Sequence, residues 1–146
     1  MIIKNYQFNI NIEITKKYNS LLLYGVNEGV KKEFIEKIKE ENKKVEIYTF
    51  FEEEILKNNQ LFLENIFNTS LFNENKIIIL YEATDKIFNI IAGCLNKLDQ
   101  NVKLYIIANN LDKKSKLRKL FEDSKNDGII PLYEDDEKTL LNYLKK

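Results

Sequence analysis

Several residue types are rare or missing in this sequence of 146 residues, and their absence limits the chemistry that it can carry out. It has no histidine and no tryptophan, and only one cysteine and one arginine. The lack of histidine excludes a Ser-His-Asp triad and the usual zinc ligand sets. The single cysteine, Cys94, cannot form an internal disulfide, and its place in an apolar helical pattern indicates a core residue. Any catalysis would therefore rest on carboxylates, lysines or a phosphate-binding loop.

Excess charge and long apolar runs are missing as well. The 23 basic and 23 acidic side chains cancel, so the chain has no general attraction to nucleic acid or to an anionic membrane. The first residues, MIIKNYQFNINIEI, are too polar for a signal peptide, and no apolar run reaches membrane-spanning length. A lone cysteine suits a reducing compartment. We therefore expect a soluble, cytoplasmic protein that does not contact membranes.

What is present is an alternation of strand-like and helix-like segments from Ser20 onward. The predicted strands are SLLLYG, KKVEIYTF, KIIILYEA, VKLYIIAN and DGIIPLY. The predicted helices are EGVKKEFIEKIKEEN, FFEEEILKNNQLFLENIF with a break near Asn58 and Asn59, KKSKLRKLFEDS and EDDEKTLLNYLKK. A further helix is predicted after KIIILYEA, where Thr84 or Asp85 can cap it and Ile87, Ile91, Cys94 and Leu98 align on one side of it. This alternation predicts one α/β domain with a mostly parallel five-stranded sheet and helices on both faces. The fold of residues 1–19 is not assigned.

The segment LLLYGVNEGVKKEF has the outline of a strand, a glycine turn and a helix, which is the layout of a phosphate-binding loop. A working loop reads G-x-x-x-x-G-K-[ST], whereas this sequence reads GVNEGVKK from Gly25. Val30 replaces the second glycine, Lys32 replaces the hydroxyl residue, and only Lys31 is retained. Glu28 adds a negative charge where a phosphate would sit. The loop motif is therefore degenerate.

The second half of such a site, an acid at the end of a buried strand, is also weak. After IIIL the sequence has Tyr81, and a lone Glu82 follows it. We therefore predict that the loop, which comprises Gly25, Gly29, Val30, Lys31 and Lys32, binds no nucleotide. Gly25 and Gly29 are then interpreted as turn residues with unusual backbone angles.

Two large apolar residues, Leu71 and Phe72, stand side by side in FNTSLFNENK, just before the most apolar predicted strand. Adjacent side chains point to opposite faces of a strand and diverge by about 100° on a helix. One core rarely buries both at a loop. Either the loop folds back over the core, or part of the pair is presented to a partner.

The run KKSKLRK carries five basic residues in seven positions. It is either a solvated helix face or a contact with DNA or an acidic partner. The basic residues are predicted to spread around the helix, and no aromatic residues alternate with them, which weakens the DNA interpretation. The candidate contact residues are Lys113, Lys114, Lys116, Arg118 and Lys119.

From about Ser20 to Lys146, the sequence resembles the N-terminal domain of the delta subunit of the bacterial DNA polymerase III clamp loader. The resemblance rests on the order of LLLYGVNEGVKKEF, NTSLFNENKIIILYEA, VKLYIIANNLDKKSKLRKLF and GIIPLYEDDEKTLLNYLKK. It implies a three-layer AAA+-type, P-loop NTPase-like domain over residues 1–146 that does not bind ATP. The lid and collar domains of the subunit are absent from this sequence. The abrupt end of the last predicted helix at Lys146 suggests a chain that continues, or an excised domain.

The resemblance also implies a function without catalysis, cofactor or metal. In that family the delta subunit inserts a Leu-Phe wedge into a pocket of the sliding clamp (the beta subunit) and helps to open the ring for loading onto DNA. Carried over, the wedge is Leu71 and Phe72, and Ser70 is the small residue before it. Thr69 stands where some members have a larger apolar residue. The implied partners are the clamp and, for the full-length subunit, the loader ATPases and delta-prime, with only an indirect relation to DNA.

Two alternatives remain open from the residues. An ATP-binding AAA+ ATPase of the same complex usually carries a four-cysteine zinc module and a serine-arginine-cysteine motif, and this sequence has neither. A generic α/β interaction module would be expected to have an acidic cluster at its strand ends, where only Glu82 is found.

Overall fold

A computed structural model describes residues 16–67 and 74–132 of the chain. The strands are β1 (Ser20–Gly25), β2 (Glu46–Phe51), β3 (Lys76–Ala83), β4 (Val102–Ala108) and β5 (Gly128–Leu132). The helices are α1 (Glu28–Glu41), α2 (Glu52–Lys57), α3 (Gln60–Phe67), α4 (Phe88–Leu95), which follows a 3₁₀ turn at Asp85–Ile87, and α5 (Lys116–Asp123). All five predicted strands and the break at Asn58 and Asn59 are confirmed.

The five strands form one sheet in the order β2-β3-β4-β1-β5, and every pair of neighbours is parallel. The inner strands β1, β3 and β4 are almost wholly buried, which explains their continuous apolar sequences. The single proline, Pro131, lies in β5 at an edge of this sheet, where a missing N–H is tolerated. The predicted α/β class is thus confirmed, with a sheet that is parallel throughout the described strands.

Two apolar clusters cover the two faces of the sheet. On one face, the α1 side, α1 packs through Val30, Phe34, Ile35 and Ile38 against inner-strand residues such as Ile79. On the opposite side, α2, α3, α4 and α5 pack through residues that include Ile55, Phe62, Ile66, Ile91, Cys94, Leu117 and Phe121. Right-handed crossovers explain this distribution. The connection from β1 to β2 crosses the sheet in one direction and the later connections cross it in the other, so their helices lie on opposite faces.

Some predicted boundaries were wrong. The long helical segment was expected to begin at the two phenylalanines, but β2 continues through Phe51 and α2 begins at Glu52. Pairing of Phe50 and Phe51 with β3 keeps both in the sheet. The basic helix begins only at Lys116, so Lys113 and Lys114 lie in the preceding turn. The helix predicted in EDDEKTLLNYLKK lies outside the described residues. None of the helices in the described ranges has the length and apolar character needed to cross a membrane.

Candidate functional site

Gly25 closes β1 in a conformation that only glycine adopts easily. Its φ is +127°, and a Cβ atom added there would lie 2.0 Å from the carbonyl oxygen of Leu132. Its N–H donates to the Asn109 carbonyl at 3.0 Å, and the N–H of Val26 donates to the Leu132 carbonyl at 3.1 Å. The unusual backbone angle expected for Gly25 is confirmed, and its reason is the close approach of β5 to the end of β1.

Gly29 was expected to need an unusual angle as well, and this prediction was wrong. Gly29 lies in the first turn of α1, and Gly25 is the one glycine with positive φ among the described residues. A Cβ atom on Gly29 would meet only the Asn27 side chain, at an ordinary 3.6 Å. The helix begins at Glu28, as its sequence predicted, because Asn27 provides the N-cap, and Gly29 therefore lies inside the helix and not in the turn.

The N-terminus of α1, where a phosphate would bind, is already hydrogen-bonded within the chain. The Asn27 side chain accepts from the N–H of Val30 at 3.1 Å. The N–H of Glu28 donates to the Val26 carbonyl, and the N–H of Lys31 donates to the Asn27 carbonyl. The Lys31 N–H makes the first regular hydrogen bond of the helix, whereas the amides of Glu28 and Val30, which could otherwise bind an anion, already have protein acceptors.

The retained lysine of the loop is also engaged. The ammonium group of Lys31 lies 2.9 Å from the Glu28 carboxylate, and Lys31 is only 4% exposed. Lys32 is exposed, and Val30 is buried against the α1 side of the sheet. Of the five loop residues, Gly25 therefore ends the strand, Val30 and Lys31 have partners within the fold, and Lys32 faces solvent.

The end of β3 carries an aromatic residue where an acid would be needed. Tyr81 is half-buried and stacks on Phe51, with ring centroids 5.6 Å apart, and burial raises the pKa of its hydroxyl. Glu82 is exposed with a φ of +59°, at a bulge where β3 has one more residue than β4 between paired positions. Among the described residues, no group of three metal-ligating side chains comes together.

A polar network, which the sequence analysis missed, joins the loops at the carboxyl ends of the strands. Thr84 caps the 3₁₀ turn as expected, and its N–H and hydroxyl also donate to the buried carboxylate of Glu52 at 2.8–3.0 Å. The carboxylate of Asp85 accepts from the Ser115 hydroxyl at 2.6 Å and from the N–H groups of Lys116 and Leu117. Asp85 thus caps α5 rather than its own helix, and no local pattern reveals a partner thirty residues away.

The basic run is divided by the structure. Arg118 donates to Glu122 at 2.5 Å and to the Leu111 carbonyl at 3.1 Å, and its guanidinium lies over the Tyr24 ring. The exposed lysines of the run are Lys113, Lys114, Lys116 and Lys119. None of these four ammonium groups forms a salt bridge within the described parts of the chain. Arg118 therefore has a structural role, while the four lysine side chains remain exposed to solvent.

The residues of the expected wedge, Thr69, Ser70, Leu71 and Phe72, lie outside the described residues. The elements on both sides of them are described. α3 ends at Phe67, whose side chain is 42% exposed, and β3 begins at Lys76. The Lys76 ammonium donates to the backbone and side-chain oxygens of Asn65 at 3.2 and 3.4 Å. The wedge segment thus joins two elements that are tied together at the amino end of β3, the sheet edge opposite the degenerate loop.

Comparison with solved structures relates the fold to that of a known protein. No family model and no curated protein matches the sequence. The chain is similar to the structure of the Bacillus subtilis DNA clamp loader delta protein, with a TM-score of 0.71 and 15% sequence identity. The match covers 94% of this chain and 45% of that one. This similarity shows a common fold, and the chain spans less than half of that protein's length.

Proposed function

We propose that this chain is the N-terminal domain of a DNA polymerase III clamp-loader delta subunit. In this role it binds the sliding clamp through Leu71 and Phe72 and helps to open the ring for loading onto DNA. The observation that carries the proposal is a degenerate phosphate loop, in which the Val30 amide and the Lys31 ammonium already have protein partners, within a fold shared with a clamp loader delta protein. A domain of this kind would act by binding a partner, without catalysis of its own, in a cytoplasmic replication complex.

The proposed binding would rest on two apolar side chains, Leu71 and Phe72, in a short segment between two described elements. Six residues, 68–73, connect the end of α3 to Glu74, just before β3. Because Lys76 links the two elements through Asn65, the ends of this segment are fixed relative to each other. A central apolar anchor in a preformed pocket typically contributes about 2–4 kcal/mol. Ser70 would permit close approach to the clamp, and Thr69 would contribute a smaller contact.

The proposal is tested by measuring the binding of the purified domain to a bacterial sliding clamp. We expect Leu71→Ala with Phe72→Ala to weaken binding by about 30- to 1000-fold. The matched control is Leu61→Ala, which removes a 61% exposed side chain from the start of α3. Circular dichroism would establish that both variants remain folded. Equal affinity of the folded double variant and the wild type would contradict the proposal.

The exposed lysines are a separate part of the proposal. We infer that Lys113, Lys114, Lys116 and Lys119 contact DNA or an acidic partner in the assembled loader, whereas Arg118 maintains the fold. The contacts with the loader ATPases and delta-prime belong to the full-length subunit. An ATP-binding motor subunit is the alternative function, and calorimetry with Mg·ATP separates it from the delta function.

A further inference from the structure

The helices of the described ranges cover the two sides of the sheet unequally. Four helices pack on one side, whereas among the described residues α1 alone packs on the other. The effect of this unequal cover is seen at β2, the edge strand that lies farthest from β1. Val45 and Ile47 are only half-buried on the α1 side. The described residues therefore leave part of the apolar core on this side without cover.

A cavity of about 560 Å³ lies where this cover is missing. It opens between the C-terminal half of α1 and the first residues of β2, β3 and β4. Apolar side chains of Ile38, Val45, Ile77 and Tyr105 line it, and Lys16 and Lys103 lie among its polar lining residues. An apolar segment of this chain or of a partner would bury surface here.

The start of the described chain is fixed at this cavity. The Lys103 ammonium donates to the carbonyl oxygens of Tyr18 at 3.0 Å and Lys16 at 3.4 Å, and to the Asn19 side chain at 3.3 Å. The N–H of Leu104 donates to the Asn19 carbonyl at 2.8 Å. The described part of the chain therefore begins at the cavity, since Lys16 itself lines it.

The sequence that precedes Lys16 suits an extended chain with one apolar side. Phe8, Ile10, Ile12 and Ile14 alternate with Gln7, Asn9, Asn11 and Glu13. This period of two is typical of a strand that packs on one face. At about 3.3 Å per residue, residues 8–14 would extend over about 23 Å, which is enough to cross three neighbouring strands about 4.8 Å apart.

We propose that residues 8–14 of this chain dock over the cavity and complete the α1 side of the core. The side chains of Ile10, Ile12 and Ile14 would face the apolar lining residues, and the asparagines would face solvent. This proposal does not depend on the function proposed above.

The first test uses the unchanged protein in solution. We expect nuclear Overhauser effects between the methyl groups of Ile10, Ile12 or Ile14 and those of Val45 or Ile77, or the ring of Tyr105. The absence of all such contacts in an assigned spectrum would overturn the proposal, whatever happens to any variant.

The second test measures cysteine labelling at the cavity. A Val45→Cys variant places a thiol there, and the native Cys94 gives little background because it is 1% exposed and burial raises its pKa to about 11. We expect Ile10→Asn with Ile12→Asn to accelerate labelling of position 45 by about tenfold or more, through loss of local protection. The matched change, Asn9→Ser with Asn11→Ser, should leave the rate unaltered.

Two results of the labelling test would overturn the proposal. One is an equal labelling rate in the isoleucine variant and the unchanged segment. The other is protection that rises with protein concentration together with a doubled molar mass, because a second copy would then cover the cavity. If Cys94 is also labelled faster, the isoleucine variant has unfolded as a whole. The nuclear Overhauser contacts of the unchanged protein then decide whether the proposal holds.

Discussion

The ammonium group of Lys31 and the carboxylate of Glu28 lie 2.9 Å apart in the first turn of α1. The lysine is buried and the glutamate side chain is 75% exposed. In a working phosphate loop, the corresponding lysine would neutralise a nucleotide phosphate. Here it neutralises a residue of the same helix, so a ligand would have to displace a contact that the fold already makes.

Removing the glutamate should not create a nucleotide site. In Glu28→Gln, Lys31 loses its ionic partner, but the Asn27 cap still occupies the amide of Val30, and no hydroxyl residue follows to bind magnesium. We expect neither the wild type nor this variant to bind Mg·ATP at micromolar concentrations in titration calorimetry. Micromolar binding by the wild type would favour the motor-subunit alternative.

The two glycines of the loop should respond oppositely to alanine. Gly25→Ala combines a φ of +127° with a Cβ position 2.0 Å from the Leu132 carbonyl oxygen, so we expect a loss of about 3–5 kcal/mol in the free energy of unfolding. Gly29→Ala, with only one contact at 3.6 Å, should gain about 0.5–1 kcal/mol as a helical alanine. Urea unfolding measures both, and a similar loss at both positions would refute this distinction.

Asp85→Ala should destabilise the protein through a helix in which Asp85 does not lie. The carboxylate accepts one hydroxyl and two N–H hydrogen bonds at the start of α5, so we expect a loss of about 1–2 kcal/mol, typical of a helix cap. The control is Asp123→Ala, at the opposite end of α5, where an acid opposes the helix dipole and its removal should cost nothing. Equal losses in the two variants would argue against the capping role.

The contribution of Asp85 should also depend on pH. Its partial burial opposes ionisation, but the hydrogen bonds from Ser115, Lys116 and Leu117 outweigh this effect and lower its pKa from the ordinary 3.8. A carboxyl group with a lowered folded-state pKa stabilises the fold above its unfolded pKa, and this contribution is lost as the pH falls through the folded value. The stability difference between wild type and Asp85→Ala should therefore be constant at neutral pH and shrink below pH 3.8. A difference that is largest in acid would contradict the assignment.

The end of α3 should contribute to clamp binding if the proposed function is right. Phe67 is 42% exposed, and it precedes Leu71 by four residues. Leu61, six positions before Phe67, lies about 120° away around the helix. We expect Phe67→Ala to weaken clamp binding by about three- to tenfold and Leu61→Ala to leave it unchanged. The same binding assay measures both, and an effect of Leu61→Ala alone would place the interface on the other flank of α3.

The local patterns of the sequence predicted the strands, the class of fold and the degenerate loop. Short β-branched apolar runs such as Ile77–Leu80 are typical of buried strands in a sheet covered on both faces. The missing second glycine and hydroxyl at Val30 and Lys32 are visible in the sequence without coordinates, because the motif is contiguous. The position of Leu71 and Phe72 between α3 and β3 was also predictable, but their proposed role came from a resemblance between sequences.

The tertiary structure decided the relationships between distant residues. Only the folded chain brings Asp85 to α5, Leu132 against Gly25, and Arg118 onto Tyr24. It also fixes the strand order and places Ile47 of β2, half-buried, on the α1 side. Periodicity records which side of an element is buried, whereas these contacts depend on how separate elements meet. The sequence by itself therefore determined the elements and the loss of the loop motif, and the packing of the elements determined which distant residues meet.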